Sequence, residues 1–331
     1  MAGFFVRATL AAPLFLVCLS FVAAKDAMTS SLLIGGARID IRTGGESLRM
    51  PAKDLYQWVG ASAESVTAYY GRFPVPQVLI QITSFRGSGV SNGMAFGDRG
   101  GRITIRVGNE TSPLELASDG MLTHEMVHLA FPSVDDKHHC IEKGIATYVE
   151  PIARIHAGHL KPGQMWFDLV RDMPQGFPQH GDRGLDHTHT WGRTYWGGAL
   201  FCLLADVEIR RQTNNVKGLE QALRGIIEAG GDIRKDWNLE TALRAGDRAV
   251  GVSVLHPLYI RMKDMPVSID LDSLWPQLGI QPEGSSVRFD NGAKLAAIRR
   301  AITTSECDAV AEESSPPEAA AVFAGRTAGC T

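Results

Sequence analysis

Cysteine is scarce in this chain, with five in 331 residues and none in a C-x-x-C arrangement. That excludes a dithiol redox pair and a thiolate-rich zinc ribbon. A surplus of positive charge is also missing: 33 Lys and Arg stand against 36 Asp and Glu, for a net charge of -3. The basic footprint of a nucleic-acid-binding protein is therefore absent. No internal repeat is visible, which excludes a solenoid or propeller. Beyond the first residues, no stretch is apolar enough to span a bilayer. What remains is ordinary globular composition, 44% hydrophobic and 21% charged, enough for one large domain or two modest ones.

The N-terminus reads as a secretory signal. Arg7 supplies the basic n-region, and Leu10 to Ala24 is an apolar run of 15 residues, short for a membrane span. Val22 and Ala24 place small residues at the -3 and -1 positions, so cleavage is expected after Ala24. Segment 1–24 is then a signal peptide, and the rest is expected in a periplasmic or secreted, extracytoplasmic location without stable membrane insertion. Cys140, Cys202, Cys307 and Cys330 follow it. Four cysteines permit three pairings, and spacing does not choose among them.

Periodicity divides the chain into a sheet part and a helical part. Ser31 to Arg42 alternates weakly and predicts one or two short strands. Pro51 opens a helix to about Tyr70, and Val78 to Thr83 is a strand. Gly87 to Gly101, rich in Gly and Ser, is expected as a loop that hovers over a site. Arg102 to Val107 alternates strictly, with Ile103, Ile105 and Val107 on one face. It is expected as an edge strand able to pair with an extended substrate. Ser112-Pro113 with Glu115 starts a helix expected to run unbroken through His128 to Ala130. Helices are then expected over Ile141 to His156, Thr194 to Arg211, Lys217 to Ala229, Leu239 to Ala245, Val254 to Met262 and Ala293 to Ile302. Lys161 to Trp191 is read as mostly loop, with room for a turn of helix over Met165 to Val170. The fold class is α+β: a small N-terminal mixed or antiparallel sheet (about 25–110) followed by a mainly helical half (about 111–303), with a disordered tail over 304–331.

The chemistry concentrates in Leu122-Thr-His-Glu-Met-Val-His-Leu129. His124 and His128 stand at i and i+4, on one face of a helix, and suit two ligands of one Zn²⁺. Glu125 between them suits the general base for a metal-bound water. A catalytic zinc takes a third protein ligand. Glu142, 14 residues after His128, allows for a reversal between antiparallel helices. Glu150 lies two turns deeper, and His138 and His139 are weaker choices. His180, His187 and His189 belong to a loop that is better read as solvated than as a second metal site.

With those residues in view, the chain resembles the gluzincin peptidase MA-like family of HExxH zinc metallopeptidases. Glu142-Lys-Gly-Ile-Ala-Thr-Tyr-Val-Glu150 is similar to the family's second motif. Tyr195-Trp-Gly-Gly-Ala-Leu-Phe-Cys-Leu-Leu-Ala-Asp-Val-Glu-Ile-Arg210 is similar to a segment of glycyl-aminopeptidase-like members. The resemblance covers roughly Arg102 to Thr213. It implies a gluzincin-like fold, a Zn²⁺ cofactor and a peptide or protein substrate. His124 and His128 become zinc ligands, Glu125 the base, and Tyr195 the donor to the oxyanion.

The chain departs from the family at one position. There the ligand glutamate immediately precedes the glycine; here that position is Lys143, and Glu142 lies one residue earlier, about 100° around a helix. The expectation is an exported zinc-dependent metallopeptidase whose helix start adjusts so that Glu142 reaches the metal. The alternative is a catalytically impaired binding protein on the peptidase fold. An HExxH enzyme acting on esters or epoxides is a third reading.

Overall fold

The computed structural model describes residues 29–97 and 100–305. The signal-peptide expectation, Cys307, Cys330 and nearly all of the tail lie outside the described residues.

Alternation builds the first layer. The chain runs β1 (Thr29–Ile34), β2 (Ala37–Gly45), α1 (Ala52–Tyr70), β3 (Gln77–Phe85), β4 (Val90–Phe96) and β5 (Gly101–Gly108). The strands form one mixed sheet in the order β1-β2-β3-β5-β4. β2, β3 and β5 are parallel, and β1 and β4 pair antiparallel at the two ends. Parallel neighbours need a long crossover. α1 supplies it between β2 and β3, and it ends on Gly71 in a left-handed conformation (φ 74°). The register sets Ile80 beside Ile103 and Ile82 beside Ile105. All four are buried, as are Val59 and Val66 of α1. Arg102 and Arg106, on the opposite face, lie over the rings of Phe96 and Phe85 at 4.0 and 5.1 Å.

Two expectations are corrected here. β5 is an interior strand between β3 and β4, so Arg102 to Val107 is not an edge. The edge is β4, inside the stretch read as a loop. Its glycines, its broken register between Ser91 and Met94, and Asn92 at φ 50° hide a regular strand pattern.

The helical half begins with α2 (Pro113–Ser118) and α3 (Met121–His128), then α4 (His139–His156), α5 (Pro162–Asp172) and α6 (Gly198–Gln212). It continues with α7 (Leu219–Glu228), α8 (Leu239–Val250), α9 (Leu255–Lys263) and α10 (Leu271–Leu278). A small hairpin of β6 (Ile280–Glu283) and β7 (Ser286–Phe289) precedes α11 (Ala296–Thr303). The helix expected to run unbroken from Ser112 to Ala130 is two helices. Ser112 and Glu115 form a reciprocal capping box at the start of α2. Asp119 then takes an extended conformation (ψ 132°) and accepts a hydrogen bond from the Met121 amide at 2.9 Å, starting α3. Arg154 donates to the carbonyls of Ala117 and Ser118, which the break leaves open. The stretch read as mostly loop contains the 11-residue α5, whose Met165, Trp166 and Leu169 are buried.

α4 and α6 cross where Gly144 meets Gly198; a Cβ at 198 would stand 2.7 Å from the Gly144 Cα. A buried polar knot reinforces the crossing. Asp206 of α6 accepts from Tyr148 of α4 at 3.1 Å, Arg210 Nε at 2.9 Å and the Leu219 amide at 3.0 Å. Cys140 and Cys202 are buried free thiols. One hydrophobic core runs through both layers. Among the described residues no helix is long and apolar enough to cross a membrane.

Candidate active-site cleft

α3 is only eight residues long, and its burial pattern decides what it presents. Leu122, Glu125, Met126 and Val127 face inward, while His124 and His128 keep some surface toward a cleft. Their rings meet edge to face with centroids 5.0 Å apart. Dense packing around both imidazoles favours the neutral form. Burial pushes His124 down to about 3, helped by the Lys143 charge. His128 is lowered by burial, by His124 and by Lys143.

Glu125 is 2% exposed. Burial raises its pKa, while the Lys143 charge and a hydrogen bond from the Ala95 amide oppose the rise. Its Oε2 is buried without a hydrogen-bond partner. β4 passes directly over this carboxylate: a Cβ at Gly93 would lie 2.6 Å from Glu125 Cγ. Gly93 is a site residue that sequence reasoning missed. A lone glycine in a Gly-rich stretch carries no signal of what it must clear.

Tyr195 comes from a π-helical turn, Arg193–Gly197, that leads into α6. Such turns are rare and often mark functional sites. Arg193 anchors this one from inside: it is 2% exposed, pairs with Asp182 at 2.7 Å and donates to the Gly176 carbonyl at 2.7 Å. The Tyr195 ring stacks on His124 at 6.2 Å and on Trp191 at 5.4 Å. Trp191 is 61% exposed, so it lines the cleft instead of joining the core.

α4 supplies the remaining wall. Lys143, Thr147 and Glu150 recur at helical spacing and all line one cavity of about 470 Å³, shared with Trp191, Tyr195 and Trp196. Lys143 and Tyr195 also line a second cavity of about 780 Å³ that reaches past β4 to Ile233 and Arg234. Between the two cavities, Lys143 Nζ lies 3.1 Å from His128 Nε2 and 5.9 Å from the Tyr195 ring centre. Glu142 turns elsewhere. Its carboxylate accepts from the Val134 amide at 3.3 Å and lies 3.2 Å from His139 Nδ1. The structure thus brings His124, Glu125, His128 and Tyr195 together, and it sets Lys143 against His128 where sequence reasoning expected Glu142.

Four further histidines have local partners. His138 contacts Asp186 and Tyr259 in a buried cluster. His156 meets the Ile302 carbonyl, His159 meets Ser65, and His187 pairs with Asp264 on the surface.

Solved structures that this chain resembles include an aminopeptidase N family protein and an M1 zinc metallopeptidase. An aminopeptidase N family protein from Idiomarina loihiensis superposes with a TM-score of 0.57 at 11% identity, covering 77% of this chain and 50% of that one. The fold is gluzincin-like. An M1 zinc metallopeptidase from Deinococcus radiodurans (TM-score 0.48, 13% identity, 74% and 52% covered) and yeast LTA4 hydrolase (0.45, 15%, 76% and 42%) also align. The chain spans about half the length of these proteins, or less. No family model and no curated protein matches its sequence.

That fold raises the question of a zinc ion, and donor chemistry answers it for the arrangement present. Two neutral imidazoles are good ligands, but a protonated ammonium has no lone pair to offer. Among the described residues no group of three His, Cys, Asp or Glu side chains is placed to hold a metal. The residues as arranged do not fit a three-ligand zinc centre.

Proposed function

We propose that this chain is a peptide-binding protein on a zinc-peptidase fold, with the Lys143 ammonium standing where such a fold would place its metal. The observation that carries this reading is the 3.1 Å approach of Lys143 Nζ to His128 Nε2. The ammonium and the imidazole satisfy each other, and Glu142 is held by Val134 and His139. Peptide binding is supported by the sheet edge. β4 is the last strand of its sheet, and residues from Asn92 to Gly97 line the two cavities. An edge strand offers backbone donors and acceptors to an extended chain. Trp191 and Trp196 give an aromatic wall for a side chain. The apolar N-terminal run further supports an extracytoplasmic location.

The second reading is the zinc-dependent metallopeptidase itself, with Glu125 as base, Tyr195 as oxyanion donor and Glu142 as third ligand. The intact set of His124, Glu125, His128 and Tyr195 around one cleft favours it. Metal analysis of the purified protein, together with binding and cleavage assays on a labelled peptide library, separates the two. The binding reading expects peptide retention without cleavage and without stoichiometric zinc. One equivalent of zinc with peptide cleavage, both lost in Glu142→Ala, would establish the peptidase instead.

A further inference from the structure

The cleft brings two imidazoles and a carboxylate together, and a lysine ammonium already stands beside them. Two imidazoles meet edge to face with ring centroids 5.0 Å apart. A buried carboxylate oxygen, Glu125 Oε2, has no hydrogen-bond partner. The group standing among them is Lys143, whose ammonium contacts His128 and whose side chain lines both cavities. We infer that Lys143 is a built-in cation that excludes a divalent ion from this cleft, so that side-chain chemistry at position 143 decides whether His124 and His128 take a metal.

This inference rests on the proposed metal-free reading and extends it. The exclusion has two parts. A like charge a few ångströms from a divalent ion repels it strongly in a protein interior. The same ammonium also occupies the lone pair of His128 that a metal would use. Neither effect involves Glu142, whose partners are Val134 and His139. The helical phase of α4 explains why 143 is the deciding position. Lys143, Thr147 and Glu150 share the face that lines the cavity beside His124 and Glu125, whereas Glu142 borders only the larger cavity. A carboxylate introduced at 143 would start from the face that already meets His128.

The experiment is zinc titration of the full chain by calorimetry, with bound metal counted after dialysis, on wild type, Lys143→Glu, Lys143→Met and Lys143→Glu/His128→Ala. The expected result is no stoichiometric zinc on wild type and one equivalent on Lys143→Glu, at least about 1,000-fold tighter than any binding to wild type. Lys143→Met should bind more weakly than Lys143→Glu, and the double variant should lose the site. Zinc should also raise the melting temperature of Lys143→Glu and leave that of wild type unchanged. Should Lys143→Glu fail to fold, Lys143→His, which offers a neutral donor, is expected to gain zinc in its place. No zinc on any folded variant, with none on wild type, would overturn the inference and leave the metal-free reading standing. Stoichiometric zinc on wild type, abolished by His128→Ala, would overturn both.

Discussion

The glycine-to-glycine crossing of α4 and α6 sets where Lys143 sits, and Gly198→Ala tests that. A Cβ at 198 would stand 2.7 Å from the Gly144 Cα and overlap the Cys140 carbonyl. Carbon atoms in contact normally lie about 3.5–4.0 Å apart, so the helices would have to part by about 1 Å. The opposing atoms are backbone, and no rotamer change relieves them. Overpacking of this kind costs about 1–3 kcal/mol. A clash between two rigid helices belongs at the upper end. Alanine's better helix propensity returns about 1 kcal/mol. The net expectation is a loss of about 2 kcal/mol. With a urea slope of about 3 kcal/mol/M, the unfolding midpoint falls by about 0.7 M. Gly163→Ala is the control: it lies in α5 with nothing within 4 Å of an added Cβ. It should hold or slightly raise the midpoint. If Gly198→Ala matches wild type or rises together with Gly163→Ala, close approach at the crossing is not what positions α4 and the reasoning is wrong.

Other expectations follow from buried charge. Arg193→Ala leaves Asp182, whose side chain is 1% exposed, without its ion-pair partner and frees the π-helical turn that presents Tyr195. The expected cost is about 3–5 kcal/mol by chemical denaturation, and a loss below about 1 kcal/mol would contradict it. Glu150 gives a pH dependence with a definite sign. Burial raises its pKa from 4.5 to about 7, against the pull of Arg154. The folded protein then holds this proton more tightly than the unfolded chain. Its contribution to stability is complete below pH 4.5 and is lost as pH rises through 7. Glu150→Gln should flatten that part of the stability profile; an unchanged slope between pH 4.5 and 7 would count against it. His124 has the opposite sign, with its pKa lowered to about 3. Stability should fall as pH drops below 6.5, and His124→Phe should lessen that fall in thermal melts.

Local pattern made much of the fold legible. Strict alternation marked β5, and Pro51 at the head of α1 marked that helix. Where a short-range cue competed with periodicity, reading failed. β4 was hidden because glycine and a positive-φ asparagine suit loops as well as a twisted edge. The break at Asp119 and Gly120 was hidden because apolar spacing continues across it. Only the Met121 amide on the Asp119 side chain and the reach of Arg154 from α4 reveal a stop. Lys161 to Trp191 looked irregular because its Gly, Pro and His residues flank α5 and outweigh it in composition.

The sequence by itself determined the chemistry on offer: two imidazoles one helical turn apart, a carboxylate between them, and a lysine beside a glutamate 14 and 15 residues later. Those follow from identity and spacing, because helical periodicity is a local property. Which of the two neighbours meets His128 was not local. It depends on the rotation of α4 about its axis, and that rotation is set by Gly144 against Gly198, by Tyr148 on Asp206, and by the Val134 amide and His139 holding Glu142. Adjacent side chains on a helix point about 100° apart, so tertiary packing alone placed an ammonium, not a carboxylate, against the histidine.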